Sequence, residues 1–240
     1  MLKPISEVER LSLKICVYGK SGTGKTYSCS TIPEKYSVVF VNVDNKLASL
    51  PEEFRKRKNV FMTEPITTPN EYSAAIREIA NHKFDVVVVD SFTFVQQRIA
   101  EALSPAYEDP QKRLQYYDKL MRQTINALDF TINKLKDKTV IFTLLEDVDG
   151  LTGKYNGEIM LTGKAKTLLP SRFDVIMYSF VEKRNYKWRI RSEENLCKIV
   201  PHMWHLDDEI PQDYSLIINA TPYNGGHTST EIATADETNE

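Results

Sequence analysis

Short apolar runs alternate with amphipathic stretches over the first 145 residues of the chain. The apolar runs have the length of strands and lie at 13–18, 36–43, 60–63, 84–90 and 139–145. They are almost continuously apolar, which is typical of parallel strands whose two faces are both covered by helices. Strands that alternate with helices predict an α/β fold with a mainly parallel sheet.

The stretches between these runs predict helices. Thr68 and Glu71 fit a capping box, so a helix is predicted over 68–82. A second helix is predicted over 92–103, and a third, long helix over about 109–135. Apolar residues recur along the third helix at steps of three and four. They are Leu114, Tyr117, Met121, Ile125, Leu128, Ile132 and Leu135.

The pattern changes in the second half of the chain. Residues 146–170 are polar, and 155–158 carry a turn signal that predicts a hairpin. Strands are predicted at 172–181 and 186–191, joined by a short charged turn, with a further strand at 196–200. Polar and apolar residues alternate in the second of these strands, so antiparallel strands with a solvated face are expected at the C-terminal edge of the sheet.

The length of 240 residues suits a single domain, which is assigned to residues 13–219 after an N-terminal extension of residues 1–12. Residues 220–240 are rich in small polar residues and contain acids but no Lys or Arg, so they are predicted to be a disordered acidic tail. Two roles stay open for this tail. It is a solubilising end, or it docks partners or competes with nucleic acid for a basic surface.

The composition is that of an ordinary soluble globular protein, with 41% hydrophobic and 27% charged residues. All apolar runs are far shorter than the ~20 residues that cross a bilayer, so no membrane partner is expected. Residues 1–13 lack the apolar core of a signal peptide. Cys16, Cys29 and Cys197 lack metal spacing and are expected to be reduced core residues of a cytoplasmic protein.

Residues 19–26, Gly-Lys-Ser-Gly-Thr-Gly-Lys-Thr, fit the phosphate-binding pattern G-x-x-x-x-G-K-[ST] and follow an apolar strand. The glycines let the backbone approach phosphate oxygens, Lys25 neutralises the outer phosphates, and the hydroxyl of Thr26 ligates Mg²⁺. The motif therefore predicts ATP and Mg²⁺ as ligands. The residues predicted to contact the nucleotide are Gly19, Ser21, Gly22, Thr23, Gly24, Lys25, Thr26 and Tyr27.

An ATPase also needs a second acid for the metal and a base for the attacking water. Asp90 ends a run of four valines and is predicted to hold Mg²⁺ with Thr26, with Ser91 as the N-cap of the next helix. Two carboxylates compete for the role of base: Asp44, at the end of the second strand, and Glu146, at the end of the fifth. Glu146 is alternatively a polar sensor of the γ-phosphate.

Oligomeric phosphoryl-transfer enzymes often take a cation from the neighbouring subunit. Three residues in or just beyond the polar loop are candidates for this trans-acting role, the alternative being a solvated basic loop. They are Lys164, Lys166 and Arg172.

The ordered set of these segments resembles the compact RecA-like ATPases of bacteriophages, nucleotide-binding or AAA-type proteins that include Sak-type single-strand annealing and recombination factors. Five segments carry the resemblance: 15–19, 40–44, 84–91, 140–146 and 168–175. A homo-oligomer that binds ATP at its subunit interfaces belongs to the leading hypothesis, and the resemblance itself implies a RecA-like P-loop NTPase core with ATP and Mg²⁺. It also implies location in the host cytoplasm if the protein is phage-encoded.

In RecA-type proteins a glutamate two strands from the P-loop is the catalytic base, and Asp44 matches it with one methylene fewer. The DNA-binding loops of the family match residues 104–113 and 147–167. Bases with an occasional aromatic suit a single-strand groove, because bases bind phosphate and aromatics stack. The DNA-contact candidates in these loops are Lys112, Arg113, Lys154 and Tyr155.

The resemblance favours a recombination ATPase that binds single-stranded DNA, with a single-strand-binding or replication protein as a possible partner. Two alternatives stay open. One is a nucleotide-dependent assembly or loader module for replication. The other is a small-molecule kinase, which the lack of arginine over 146–171 disfavours, because such enzymes close an arginine-rich lid over the phosphates.

Overall fold

The computed structural model describes residues 12–219, and its central feature is a nine-stranded sheet. The strands are β1 Lys14–Gly19, β2 Val38–Asn42, β3 Val60–Met62, β4 Val86–Asp90, β5 Thr139–Val148, β6 Tyr155–Ile159, β7 Val175–Glu182, β8 Asn185–Arg189 and β9 Glu209–Pro211. The α-helices are α1 Lys25–Ser28, α2 Glu52–Arg55, α3 Pro69–Ala80, α4 Phe92–Leu103, α5 Arg113–Lys134, α6 Ala165–Leu168 and α7 Tyr214–Ile218. Across this described part, every helix is too short or too polar to cross a membrane.

The sheet has the order β3-β2-β4-β5-β1-β7-β8-β9, with β6 paired to β5 outside this path. The pairs from β3 through β7 are parallel, and the pairs β7–β8, β8–β9 and β5–β6 are antiparallel. The predicted fold class, a mainly parallel α/β sheet with antiparallel strands at one edge, is therefore confirmed. Since parallel strands share a direction, the loops after β1, β2, β4 and β5 all leave from one edge.

The run of valines in β4 is buried on both faces of the sheet. Val87 and Val89 face a core that contains Ile76 of α3 and Leu128 of α5. Val86 and Val88 face a second core on the opposite side, which includes residues of α7. Alternate residues of a strand point to opposite faces, so an unbroken apolar run is what a strand between two helical layers requires.

The stripe that helix α5 buries matches the predicted one only in part: Leu128, and Leu135 just after the helix, are buried as predicted. Leu120, Thr124, Leu128 and Thr131 are its buried residues, whereas Leu114 is 85% exposed. Each buried threonine hydroxyl donates a 2.8 Å hydrogen bond to the carbonyl four residues earlier, which satisfies the polar atom inside the helix. The prediction counted apolar residues only, and it therefore missed a stripe built partly from threonine.

The turn between β5 and β6 lies earlier than predicted. The predicted turn at 155–158 is wrong, because these residues belong to strand β6 and pair with the extended end of β5. The chain instead reverses over 149–154, where Asp149 accepts hydrogen bonds from the backbone N–H groups of Leu151 and Thr152. An Asp that closes its own turn in this way is a recognised turn former, but the Asn-Gly pair gave the stronger pattern.

Two further predictions concern the C-terminal edge. The short charged turn between β7 and β8 is confirmed, and Lys183 and Arg184 form it at φ values of 47° and 69°. The predicted strand at 196–200 is wrong, since this segment makes only an isolated bridge, between Lys198 and Ile176. The extension and the acidic tail, apart from Ser12, lie outside the described residues.

Candidate nucleotide-binding site

A cavity of about 470 Å³ opens at the edge of the sheet where β1, β2, β4 and β5 end. Its volume lies within the range of small-molecule sites. One wall comes from the loop between β1 and α1 and from α1 itself. The residues of this wall are Ser21, Gly22, Gly24, Lys25, Thr26 and Tyr27. The structure thus gathers six of the eight predicted nucleotide contacts around one space.

The other two predicted contacts, Gly19 and Thr23, lie behind this wall. A Cβ atom on Gly19 would stand 2.2 Å from the carbonyl oxygen of Ser179, so the close approach of β7 requires glycine here. Thr23 is buried, and its carbonyl accepts hydrogen bonds from Ser179 Oγ at 3.0 Å and Gln212 Nε2 at 2.8 Å. These contacts anchor the loop to the C-terminal part of the sheet.

Lys25 is buried at the base of the loop. Its ammonium donates to the backbone oxygens of Gly19 at 2.8 Å and Lys20 at 2.7 Å, inside the curve of the loop. Burial lowers the pKa of Lys25 from 10.5 to about 8, although the nearby Asp90 carboxylate works in the opposite direction. The loop therefore holds a desolvated cation whose hydrogen bonds within residues 12–219 go to backbone carbonyls.

Asp90 ends β4 and is 6% exposed. Its Oδ2 accepts a 2.7 Å hydrogen bond from Thr26 Oγ1, and its Oδ1 accepts one from the hydroxyl of Thr143 on β5. Burial raises the pKa of Asp90, and the two hydroxyl donors reduce that effect. The two residues predicted to bind the metal are therefore in direct contact.

Two buried oxygen atoms of the cavity have no hydrogen-bond partner among the described residues. They are Oγ of Ser91 and Oδ1 of Asp44, and both residues line the cavity beside Asp90. Unpaired buried oxygens are costly unless a ligand, ion or water completes them. Carboxylate and hydroxyl oxygens suit Mg²⁺, so these residues fit the predicted ion and its water shell. The expected side-chain N-cap bond of Ser91 is not formed.

Asp44 lies directly across from Asp90, because the pairing of β2 with β4 sets Asn42 beside Asp90. The backbone N–H of Asp44 donates to the Asp90 carbonyl at 3.3 Å. Its side chain is 9% exposed, and Oδ2 forms an ion pair of 3.2 Å with the ammonium of Lys46. Asp44 thus presents a carboxylate to the cavity, with Oδ2 paired to Lys46 and Oδ1 without a partner among the described residues.

Glu146, the rival candidate, makes its hydrogen bonds away from the cavity lining. Its Oε1 accepts a hydrogen bond from the N–H of Gly157 at 2.9 Å, and its Oε2 accepts one from the hydroxyl of Tyr178 at 3.0 Å. The preceding residue, Leu145, lines the cavity instead. Glu146 joins β5 to β6 and β7, so the arrangement favours Asp44 as the residue that faces a nucleotide.

The candidate trans-acting cations cluster around α6. Lys166 pairs with Glu158, and Arg172 pairs with Asp129 through an Nε–Oδ1 contact of 3.2 Å. Lys164 is exposed and has no ion pair within residues 12–219. Two of the three candidate cations are therefore already paired, and Lys164 is the one without an ion pair among the described residues.

The candidate DNA contacts fall into two separate places. Lys112 and Arg113 are exposed at the start of α5, where the Arg113 guanidinium lies 5.8 Å from the ring centre of Tyr117. Lys154 and Tyr155 are exposed at the start of β6. The ammonium of Lys20, in the phosphate-binding loop, lies 4.7 Å from the ring centre of Tyr155. Only the second pair adjoins the cavity loop.

Sequence reasoning missed several residues of the site. Lys46, Ser49 and Tyr186 line the cavity, and Gln212 supports the loop from behind. Thr143 was detectable, because it is a polar residue within a buried apolar strand and lies two residues before Leu145, which lines the cavity. Gln212 gave no signal, because 189 positions separate it from the carbonyl it holds.

Comparison with known proteins adds a family to this geometry. The sequence pattern of a family described as AAA domain matches residues 11–205. No curated protein matches the chain significantly. A solved structure described as a prototypical ATPase from the type III secretion system of pathogenic bacteria is similar, with a TM-score of 0.44 and 13% identity. The match covers 72% of this chain and 53% of that one, so the chain spans about half the length of that structure.

Proposed function

The chain belongs to the AAA domain family and forms a P-loop ATPase domain, and from this premise we propose that it hydrolyses ATP with Asp44 as the base. The observation that carries the proposal is a single cavity that contains Lys25, the contacting pair Thr26 and Asp90, and the unpaired oxygen of Asp44. These are the parts that phosphoryl transfer to water requires.

The proposed roles follow from where each side chain lies. Lys25 leaves the loop carbonyls and binds the outer phosphates, which replace the two oxygens it now contacts. Thr26 and Asp90 would hold Mg²⁺, which would neutralise charge at the phosphates. Asp44 orients the attacking water and takes its proton. Tyr186, half exposed beside Gly24, offers a flat surface near the end of the loop.

We further propose that the domain binds single-stranded DNA through the β5–β6 hairpin. Tyr155 is 44% exposed, which leaves a ring face for a base, and Lys154 supplies a cation for phosphate. The contact of Tyr155 with Lys20 supports coupling to ATP, because Lys20 also offers its carbonyl to Lys25. A ligand that displaces Lys25 from the carbonyl of Lys20 therefore changes the loop whose Lys20 side chain contacts Tyr155.

A homo-oligomer is part of the same proposal. The cavity lies at an open edge of the sheet, and Lys164 is exposed without an ion pair in the described range, so a neighbouring copy is able to supply a cation to bound ATP. A role in recombination, with a single-strand-binding or replication protein as partner, is the most specific form of the proposal. A replication loader and a small-molecule kinase are the competing functions.

One experiment separates these functions. ATP turnover is measured with and without single-stranded DNA at two salt concentrations, and particle size is measured by light scattering in the same buffers. A DNA-binding oligomeric ATPase shows turnover that rises with DNA, less so at high salt, and particles larger than a monomer. A loader binds ATP with little turnover, whereas a kinase stays monomeric and ignores DNA. Absence of ATP binding contradicts the whole proposal.

A further inference from the structure

Lys46 lies at the mouth of the cavity, beside the proposed base. We propose that Lys46 is a catalytic cation acting within its own subunit, which rests on Asp44 in the free protein and moves to the γ-phosphate when ATP binds. This inference depends on the proposed ATP hydrolysis and adds a residue to it. It does not require a neighbouring subunit.

The first support is the position of the ammonium. Lys46 Nζ lies 3.2 Å from Oδ2 of Asp44 and 5.4 Å from the ring centre of Phe94. Lys46 and Asp44 both line the cavity, and Asn45 between them has a φ of 54°, which turns the chain there. The geometry thus brings an acid and a base two residues apart to the same opening.

The second support is the difference between the two lysines of the cavity. Lys25 is buried and bound by two carbonyls, whereas the side chain of Lys46 is 58% exposed. The Lys46 side of the ion pair is open to solvent, so its ammonium is hydrated on leaving Asp44, whereas the ammonium of Lys25 is enclosed by the loop. A flexible four-carbon stem suits a cation that has to move between two anions.

The third support is the charge of the cavity. Asp44 and Asp90 balance Lys25 and Lys46, so a triphosphate that enters brings uncompensated negative charge. The magnesium ion offsets part of this charge at the phosphates. Lys46 is the exposed cation of the cavity, and its ion pair is with Asp44 rather than with backbone carbonyls. Its movement also frees Oδ2 of Asp44 to contact the attacking water.

The reaction step balances with these residues. The water oxygen forms a bond to the γ-phosphorus, and the bond from that phosphorus to the bridging oxygen breaks, leaving its electron pair on ADP. The water proton passes to Asp44, while Lys46 keeps its own proton and offsets charge on the γ-phosphate oxygens. Cations in this role accelerate hydrolysis by about 10³–10⁵ when they are arginines, and a lysine supplies the same charge at a single point.

The test uses the full chain with Lys46→Met and Lys46→Arg, and Lys119→Met as a matched control on an exposed lysine of α5 that does not line the cavity. Affinities for Mg-ADP and for Mg-ADP with aluminium fluoride, which imitates the transferring phosphoryl group, are measured by calorimetry. Single-turnover hydrolysis is measured in parallel. Lys46 is half exposed in a surface loop, so its replacement is compatible with folding, which circular dichroism verifies.

We expect Lys46→Met to leave Mg-ADP affinity within about threefold of the wild type, and to weaken the aluminium fluoride complex and slow hydrolysis by at least about 30-fold. Lys46→Arg restores part of both, and Lys119→Met changes neither. Equal loss of both affinities, or no loss of either, overturns the inference. A wild type that hydrolyses ATP while Lys46→Met matches it refutes only the role of Lys46. A wild type without turnover refutes the proposed function as well.

Discussion

The hydroxyl of Thr26 donates a 2.7 Å hydrogen bond to Oδ2 of Asp90, although 64 positions separate the two residues. The contact joins the first residues of α1 to the end of β4, across the intervening strand β5. Thr143 on β5 holds the other oxygen of the same carboxylate. The oxygen pair proposed for Mg²⁺ is therefore preorganised by the strand order and does not have to be assembled by the nucleotide.

Replacement of Lys25 by alanine is expected to abolish measurable ATP binding. The ammonium is the buried cation of the cavity wall, and its removal leaves the outer phosphates facing backbone carbonyls. We expect affinity to fall by at least about 100-fold, since charged hydrogen bonds of this kind are worth ~1.5–3 kcal/mol each. Calorimetric titration with Mg-ATP measures the change.

Lys20→Ala is the control for this variant. It removes a neighbouring lysine whose ammonium lies over Tyr155 and outside the cavity lining, while its backbone carbonyl stays in place. Affinity for ATP is expected to stay close to that of the wild type. If Lys25→Ala retains affinity within a few-fold of Lys20→Ala, the phosphate-binding role of the loop is refuted.

Asp44→Asn is expected to spare ATP binding and to slow hydrolysis by about 10²–10⁴, the usual contribution of a general base. The amide keeps the shape of the side chain but does not accept the proton of the water. Single-turnover hydrolysis and nucleotide affinity are measured on the same preparation, so that a loss of binding is distinguished from a loss of chemistry.

Glu146→Gln is the matched comparison for the base. Glu146 already accepts hydrogen bonds from Gly157 and Tyr178, and a glutamine retains one carbonyl acceptor there. We expect a lower melting temperature, because a buried hydrogen bond is disturbed, and a rate of hydrolysis within a few-fold of the wild type. A large loss of rate in Glu146→Gln, together with an unchanged rate in Asp44→Asn, would identify Glu146 as the base.

Local patterns predicted the parallel half of the fold and most of the cavity wall. The valine run of β4, the capping box of Thr68 and the octapeptide 19–26 each encode their structure within a few residues, and each is found where it was expected. The fold class follows from such local signals, because alternation of strands and helices leaves few sheet topologies.

The parts that sequence reasoning missed depend on contacts between distant segments. Gln212 supports Thr23 only after the chain has added β7 and β8 beside β1. The orientation of Glu146 depends on where the turn after β5 falls, and that turn was placed six residues too late, at 155–158 instead of 149–154. A shift of one residue in a strand sends a side chain to the opposite face of the sheet. The direction of the Glu146 side chain was therefore not predictable from the local sequence pattern.

Asp90→Asn is expected to stabilise the protein in the absence of metal. The pKa of Asp90 is raised by burial, so the folded state binds its proton more tightly than the unfolded state does. The stability that the protonated Asp90 contributes is therefore lost as pH rises above 3.8, the ordinary pKa of an aspartate. At pH 7.5 the buried negative charge destabilises the folded state. We expect a melting temperature a few degrees higher at pH 7.5.

Asp90→Asn is also expected to lose the dependence of ATP binding on Mg²⁺. Asp90 is the charged one of the two proposed metal ligands, and asparagine is neutral. Scanning calorimetry in EDTA gives the stability, and titrations with and without Mg²⁺ give the dependence. A variant that melts below the wild type in EDTA contradicts the electrostatic cost assigned to Asp90.

The affinity for ATP is expected to fall as pH rises above about 8. Burial lowers the pKa of Lys25 to this value in the free protein, so at higher pH the ammonium must regain a proton before it binds phosphate. The loss approaches about tenfold per pH unit once the lysine is neutral. Titrations between about pH 7 and 9.5 measure it. Lys25→Arg stays charged throughout, and any binding it retains is expected to show no such decline.

Gly24→Ala is expected to destabilise the loop and to abolish nucleotide binding. Gly24 has a φ of 87°, and a Cβ there would stand 2.7 Å from Oε1 of Gln212 and 2.8 Å from Cδ1 of Tyr186. Backbone strain of this kind costs roughly 1–3 kcal/mol for a residue with a side chain. The contact with Gln212 adds to it, because Gln212 is fixed by its hydrogen bonds to Thr23 and Ser179.

Gly22→Ala separates the two causes. Gly22 has a similar φ of 79°, but a Cβ there would meet no atom of the described residues within 4 Å. Both variants carry the backbone strain, and only Gly24→Ala carries the collision. Its melting temperature is therefore expected to lie below that of Gly22→Ala. If the two variants melt together, Gln212 and Tyr186 yield to the added methyl group, and the loop is less tightly held from behind than the hydrogen bonds of Gln212 indicate.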